Sequence, residues 1–122
     1  MVLKDFYEVQ SSHNSEGSYT TSLRINKDHE IYNGHFPGRP VTPGVILMQL
    51  FKEEVERLCN KTLSLEIASN VKFMAVVDPN LDDILIFKYD IEQTFEKISL
   101  KGVAENNKAI ALKFNAVYKI IK

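Results

Sequence analysis

Only one cysteine, Cys59, occurs among the 122 residues. An intrachain disulfide is excluded, and the chain suits a reducing compartment. Tryptophan is absent, and the formal net charge at neutral pH is −1. With neither sign in excess, no bulk field gathers nucleic acid or an anionic membrane. No apolar run reaches the roughly 18 residues that a membrane-spanning helix needs. Lys4, Asp5 and Glu8 interrupt the first ten residues, so no signal-type core is expected there. Internal repeats and low-complexity tracts are also missing. The expectation left by these shortages is one cytoplasmic globular domain over residues 1–122.

Proline and glycine are scarce as well, with four and five residues. Three of the prolines and two of the glycines fall in one decapeptide, His35-Phe36-Pro37-Gly38-Arg39-Pro40-Val41-Thr42-Pro43-Gly44. The apolar run Val45-Ile46-Leu47-Met48 follows at once and continues, after Gln49, through Leu50 and Phe51. This reads as a stiff loop feeding a helix. Thr42 is a candidate N-cap and Pro43 fits the first turn, where its missing N–H costs nothing. Apolar side chains all round the first two turns predict burial all round. Lys52, Glu53, Glu54, Glu56 and Arg57 then predict emergence into solvent near Asn60.

Alternation predicts strands elsewhere. Residues 6–13 are weakly patterned. Residues 18–26 place Tyr19, Leu23 and Ile25 opposite Ser18, Thr20, Ser22 and Arg24, after a hairpin-type connection at residues 14–17. Beyond the helix, residues 63–77 are strand-forming with a break near Ser69-Asn70. Residues 84–93, 97–105 and 109–121 alternate clearly, joined by short turns. The order is two strands, one long helix and four strands. An antiparallel sheet curled around a single helix, an α+β architecture, is the economical arrangement.

The stretch Asn33-Gly34-His35-Phe36-Pro37-Gly38-Arg39-Pro40-Val41-Thr42-Pro43-Gly44-Val45 resembles the signature of the β-hydroxyacyl-acyl-carrier-protein dehydratases. That resemblance is dense over residues 28–51 and looser around Val71-Lys72-Phe73. It implies the hotdog fold, a curled antiparallel sheet of about six strands around one long central helix. It also implies elimination of water from 3-hydroxyacyl thioesters in fatty acid or related acyl-chain biosynthesis. Acyl-carrier protein or CoA thioesters would be the partners of a homodimer or heterodimer. Neither a cofactor nor a metal is implied, and one cysteine with scattered histidines gives no zinc spacing.

Such a reaction needs a base for C2, donors for the enolate-like oxygen and an acid for the departing hydroxyl. His35 is the candidate base, since its ordinary pKa of about 6.5 leaves usable neutral imidazole near neutrality. Gly44 and Val45 are candidate oxyanion donors, because their N–H groups lack intrahelical acceptors and sit at the positive end of the helix dipole. The resemblance places an acidic residue at position 49, yet Gln49 stands there. An amide cannot donate and recover a proton. Three readings are open: His35 moves both protons while Gln49 orients the hydroxyl; Glu53, about 5.4 Å further along the same helix face, serves as the acid; or the chain binds acyl groups as one half of a heterodimer. An i,i+4 ion pair with Arg57 competes for Glu53.

Phe36, Pro43, Met48 and Phe73 are candidates to contact the acyl chain. Arg39 and Lys72 are candidates to dock an acidic carrier protein or its phosphopantetheine phosphate. The family often carries basic residues after the phenylalanine that matches Phe73, whereas Met74 and Ala75 follow here. Thioester hydrolysis on the same fold is the alternative activity.

Overall fold

A computed structural model describes residues 5–33, 42–79, 82–106 and 109–122. Six strands and one long helix follow in the order β1 (Tyr7–Ser15), β2 (Ser18–Ile25), α1 (Gly44–Cys59), β3 (Leu63–Phe73), β4 (Ile84–Gln93), β5 (Lys97–Glu105) and β6 (Ile110–Ile120). A 3₁₀ turn, Glu30–Asn33, lies between β2 and α1. The strands form one sheet in the order β1-β2-β4-β5-β6-β3, and every neighbouring pair is antiparallel. The sheet curls around α1, the hotdog arrangement expected from the order of elements.

Alternation decides which side chains meet the helix. Leu85, Phe87 and Tyr89 of β4, Ile98 and Leu100 of β5, and Leu112, Phe114, Ala116 and Tyr118 of β6 are buried. Phe51 of α1 stacks on Phe87 at 4.0 Å between ring centroids and meets Phe114 edge-on at 5.0 Å. These aromatic pairs fix the helix over the middle of the sheet. The β1–β2 connection is tighter than expected. Glu16 and Gly17, with φ of 51° and 85°, form the two-residue turn that suits the twist of a hairpin.

Two expectations for the helix are corrected. Burial is not complete around its first turns, since Val45 is 69% exposed. Nor does the charged half emerge fully, because Glu53 and Glu54 are both buried. The first correction arises because β3 is an edge strand and leaves that flank of α1 uncovered. The second has a charge-pairing cause. Arg57 holds Glu54 through N–O contacts of 2.7 and 3.2 Å, and the Tyr7 hydroxyl donates to Glu54 at 2.8 Å. A paired, hydrogen-bonded carboxylate can be buried; an isolated one cannot.

Strand β3 departs twice from regular pairing with β6, between Leu65 and Ile67 and between Ser69 and Lys72. The second irregularity matches the break expected near Ser69-Asn70. Asn70 there has φ of 52°, the left-handed region that asparagine tolerates. Three steps on β3, from Ser69 to Lys72, are matched by two on β6, from Asn115 to Lys113. The extra residue is a β-bulge, and it reverses the facing of everything after it. Lys72 pairs with solvent-facing Lys113, and Phe73 pairs with buried Leu112 on the helix side.

Candidate active site

Pro43, not Thr42, is the N-cap of α1, with φ −60° and ψ 144°. Its carbonyl accepts from Ile46 N–H at 3.0 Å and from Leu47 N–H at 3.3 Å. Thr42 does not cap because its polar groups are engaged elsewhere. Its N–H donates to the Val77 carbonyl at 2.8 Å, and its Oγ1 lies 2.8 Å from the buried Tyr32 hydroxyl. Burial raises the Tyr32 pKa, so the phenol stays protonated and able to donate. The cap residue makes no side-chain bond to the amides at the start of α1. A helix offers no internal acceptor to its first N–H groups, so those of Gly44 and Val45 point out of its amino end.

Phe73 lies against this end. A Cβ on Gly44 would overlap the Phe73 ring, with Cδ1 at 2.5 Å and Cζ at 2.6 Å. Glycine is therefore required for this close approach. Phe73 is itself 56% exposed, so its ring covers the helix start from the solvent side. Val45, Met48, Gln49 and Lys52 follow at helical spacing on the uncovered flank. With Leu65 and Tyr118 they line a cavity of about 170 Å³. Tyr118 is buried, and burial, with the nearby Glu56 charge, pushes its phenol pKa up. The phenol therefore stays neutral.

Gln49 and Glu53 are joined directly. The Gln49 amide nitrogen donates to Glu53 Oε2 at 3.2 Å. The expected Glu53–Arg57 ion pair gives way to the Glu54–Arg57 pair, three residues apart. Arg57 can serve only one carboxylate well, and Glu54 is the more deeply buried. The Arg57 pKa is raised by its hydrogen bond to Glu54. Tyr7 has its pKa raised by burial and then by the Glu54 charge beside it.

Geometry thus brings together Pro43, Gly44, Val45 and Phe73 at the helix start, then Met48, Gln49 and Glu53 along one flank. Lys72 stands on the opposite, solvent face of β3. His35, Phe36 and Arg39 lie outside the described residues. Sequence reasoning missed Tyr118, Leu65 and Tyr32. The alternation of residues 109–121 puts Tyr118 on the same face as Leu112, Phe114 and Ala116, where it is buried, and only the edge position of β3 opens its environment to a cavity. His29 is a structural histidine: its Nδ1 accepts the Ile31 N–H at 3.1 Å, and its ring meets Phe6 edge-on at 5.2 Å. Among the described residues, no three His, Cys, Asp or Glu side chains group as metal ligands.

A model of the ApeI-like family, described as ApeI dehydratase, matches residues 10–114. The chain belongs to the ApeI-like dehydratase family. Curated relatives are 3-hydroxyacyl-[acyl-carrier-protein] dehydratases named FabZ. That of Rickettsia typhi is 32% identical over 112 residues, covering 84% of this chain and 77% of the relative. That of Pediococcus pentosaceus is 32% identical over 93 residues, covering 70% of this chain but 58% of the relative. The match therefore spans little more than half the length of some of these enzymes. Among solved structures, a chain of the dehydratase heterocomplex ApeI:P from Xenorhabdus doucetiae superposes with TM-score 0.75 at 16% identity, covering 92% of this chain and 96% of that one. A hypothetical thioesterase from Streptococcus pneumoniae, solved with coenzyme A, superposes with TM-score 0.68 at 13% identity, covering 98% and 90%. At these identities the structural likeness speaks for the fold alone.

Proposed function

We propose that this chain dehydrates (3R)-hydroxyacyl thioesters to trans-2-enoyl thioesters, with the thioester carbonyl held at the start of α1. The observation that carries this reading is the helix end itself. Two outward amides, a glycine that admits close approach and an aromatic ring over it make a place for a planar, oxygen-bearing acyl group. His35 takes the C2 proton. Charge gathering on the thioester oxygen is met by the Gly44 and Val45 N–H groups. The C3–O bond then breaks, and the imidazolium of His35 returns the same proton to the departing hydroxyl, giving water. No further acid is needed for this balance. Gln49 orients the hydroxyl, and Glu53 orients Gln49 through the bond at 3.2 Å. Met48 and Phe73 contact the acyl chain beside this centre, with Phe36 and Pro43 assigned to the same role.

The assembly is proposed to be a dimer formed on β3. Among the described residues this edge strand has no neighbour on one side, and its flank exposes Val45, Leu65, Ile67 and Phe73. Exposed, unpaired apolar edges are ordinarily covered. The covering chain is a second copy or a companion dehydratase subunit, and the heterocomplex name of the Xenorhabdus structure keeps the companion in view. An acyl-carrier protein or CoA carries the substrate.

Purified protein is offered a 3-hydroxybutyryl thioester of N-acetylcysteamine. Dehydration gives an absorbing enoyl product without free thiol, and His35→Ala removes it. Release of thiol instead would establish hydrolysis. Activity that starts only on addition of a second subunit would establish the companion-subunit version.

A further inference from the structure

The sheet carries a feature that the proposed chemistry does not use. Lys72 of β3 stands directly opposite Lys113 of β6, and both are exposed on the face away from the helix. Like charges directly opposite each other oppose sheet formation. The same sheet contains an internal comparison. Lys97 of β5 stands opposite Lys119 of β6, and there Glu66 reaches across to hold Lys97 at 2.9 Å. No described carboxylate does this for Lys72, Lys101 or Lys113.

These three lysines line one groove of about 260 Å³ together with Asn70 and Asn115, and no acidic residue lines it among the described residues. Lys101 does have an acidic cross-strand neighbour, Asp90. Asp90 accepts a hydrogen bond from Ser18 at 2.6 Å and stands on the far side of Lys101 from the groove. The bulge at Asn70 creates the cluster. Without the extra residue, Val71 would oppose Lys113 and Lys72 would turn toward the helix.

We propose that this groove binds a phosphate group, with the Lys72, Lys101 and Lys113 ammoniums as counter-charges and the Asn70 and Asn115 amides as hydrogen-bond donors. Three ammoniums without a carboxylate suit a compact, multiply charged oxyanion. The inference does not depend on the dehydration reading, since the groove lies on the opposite face of β3 from Phe73 and Gly44.

Amide resonances of the full chain are followed by NMR at low salt while pyrophosphate is added, and separately adenosine 3′,5′-bisphosphate. The expected result is saturable movement of Asn70, Lys72, Lys101 and Lys113. Lys72→Gln and Lys113→Gln should each weaken binding by about threefold to tenfold. Lys119→Gln, at the compensated pair, should leave it unchanged. Tighter binding of the nucleotide than of pyrophosphate would identify a nucleotide as the source of the phosphate; equal binding would identify a bare phosphate group. Non-saturating shifts, or equal losses in Lys119→Gln, would overturn the proposal. So would saturation of these residues by an acidic holo-carrier protein with no response to either small anion, because the groove would then be a protein-docking face.

Discussion

Replacing Gln49 by glutamate would put a second carboxyl where an amide now donates to Glu53 at 3.2 Å. Two ionised carboxylates at that spacing repel by about 5 kcal/mol at an effective dielectric of about 20. Keeping one of them protonated at pH 7 costs about 4 kcal/mol, from an ordinary glutamate pKa near 4.3. Protonation is the cheaper outcome, so the pair should share one proton at neutral pH. That proton gives the site a second acid beside the His35 imidazolium. General acid help is worth about 10²–10⁴-fold, and the enoyl-forming rate should rise toward that range. A stability signature should accompany it. The folded variant would hold a proton that the unfolded chain releases above about pH 4.3. The variant should therefore match the wild type near pH 4 and lose stability relative to it as pH rises toward 7. Urea denaturation at several pH values measures this, and enoyl absorbance measures the rate. If relative stability is flat with pH, the two side chains are not neighbours. If that signature appears while a measurable wild-type rate stays unchanged or falls, position 49 is not where the acid acts.

Gly44→Ala should destabilise the fold by about 1–3 kcal/mol through the overlap with Phe73. Phe73→Ala should relieve most of that cost, so equal Gly44→Ala penalties in both backgrounds on chemical denaturation would contradict the contact. Tyr7→Phe removes the donor at 2.8 Å from buried Glu54 and should cost about 1.5–3 kcal/mol by the same measurement. At alkaline pH, stability should fall as pH climbs past the ordinary tyrosine value of about 10. Burial raises the folded-state values of Tyr7 and Tyr118 and pushes Tyr89 up to about 12. A phenol whose folded pKa is raised stabilises fully below the unfolded value and loses that contribution as pH rises through the folded one. Absorbance at 295 nm should therefore show these three tyrosines ionising together with unfolding, and early titration of all five would refute it.

Strand alternation was legible because β4, β5 and β6 each bury one face against a helix. Their period-2 patterns record this directly. Strand β3 was not legible in the same way. It is an edge strand, exposed along nearly its whole length, and two bulges scramble its parity. The facing of Lys72 and Phe73 therefore depends on a backbone irregularity that residue types only hint at through Asn70. The decapeptide disclosed the helix start and the glycine that lies under an aromatic ring. It did not disclose the cap, because Thr42 satisfies either a cap or a tertiary bond and only the position of Tyr32 decides. The fate of the acidic run was hidden for a related reason. Glu53, Glu54 and Glu56 are alike to propensity, and it is Tyr7, brought over by β1, that meets Glu54, the most deeply buried of the three.

The clasp between Tyr32 and Thr42 joins residues ten positions apart. The entropy cost of closing a connection between two tied points grows only slowly with its length. Doubling such a loop costs only about 0.6 kcal/mol in closure entropy. The tie therefore anchors the chain just before the α1 cap with little dependence on how many residues separate the two hydroxyls.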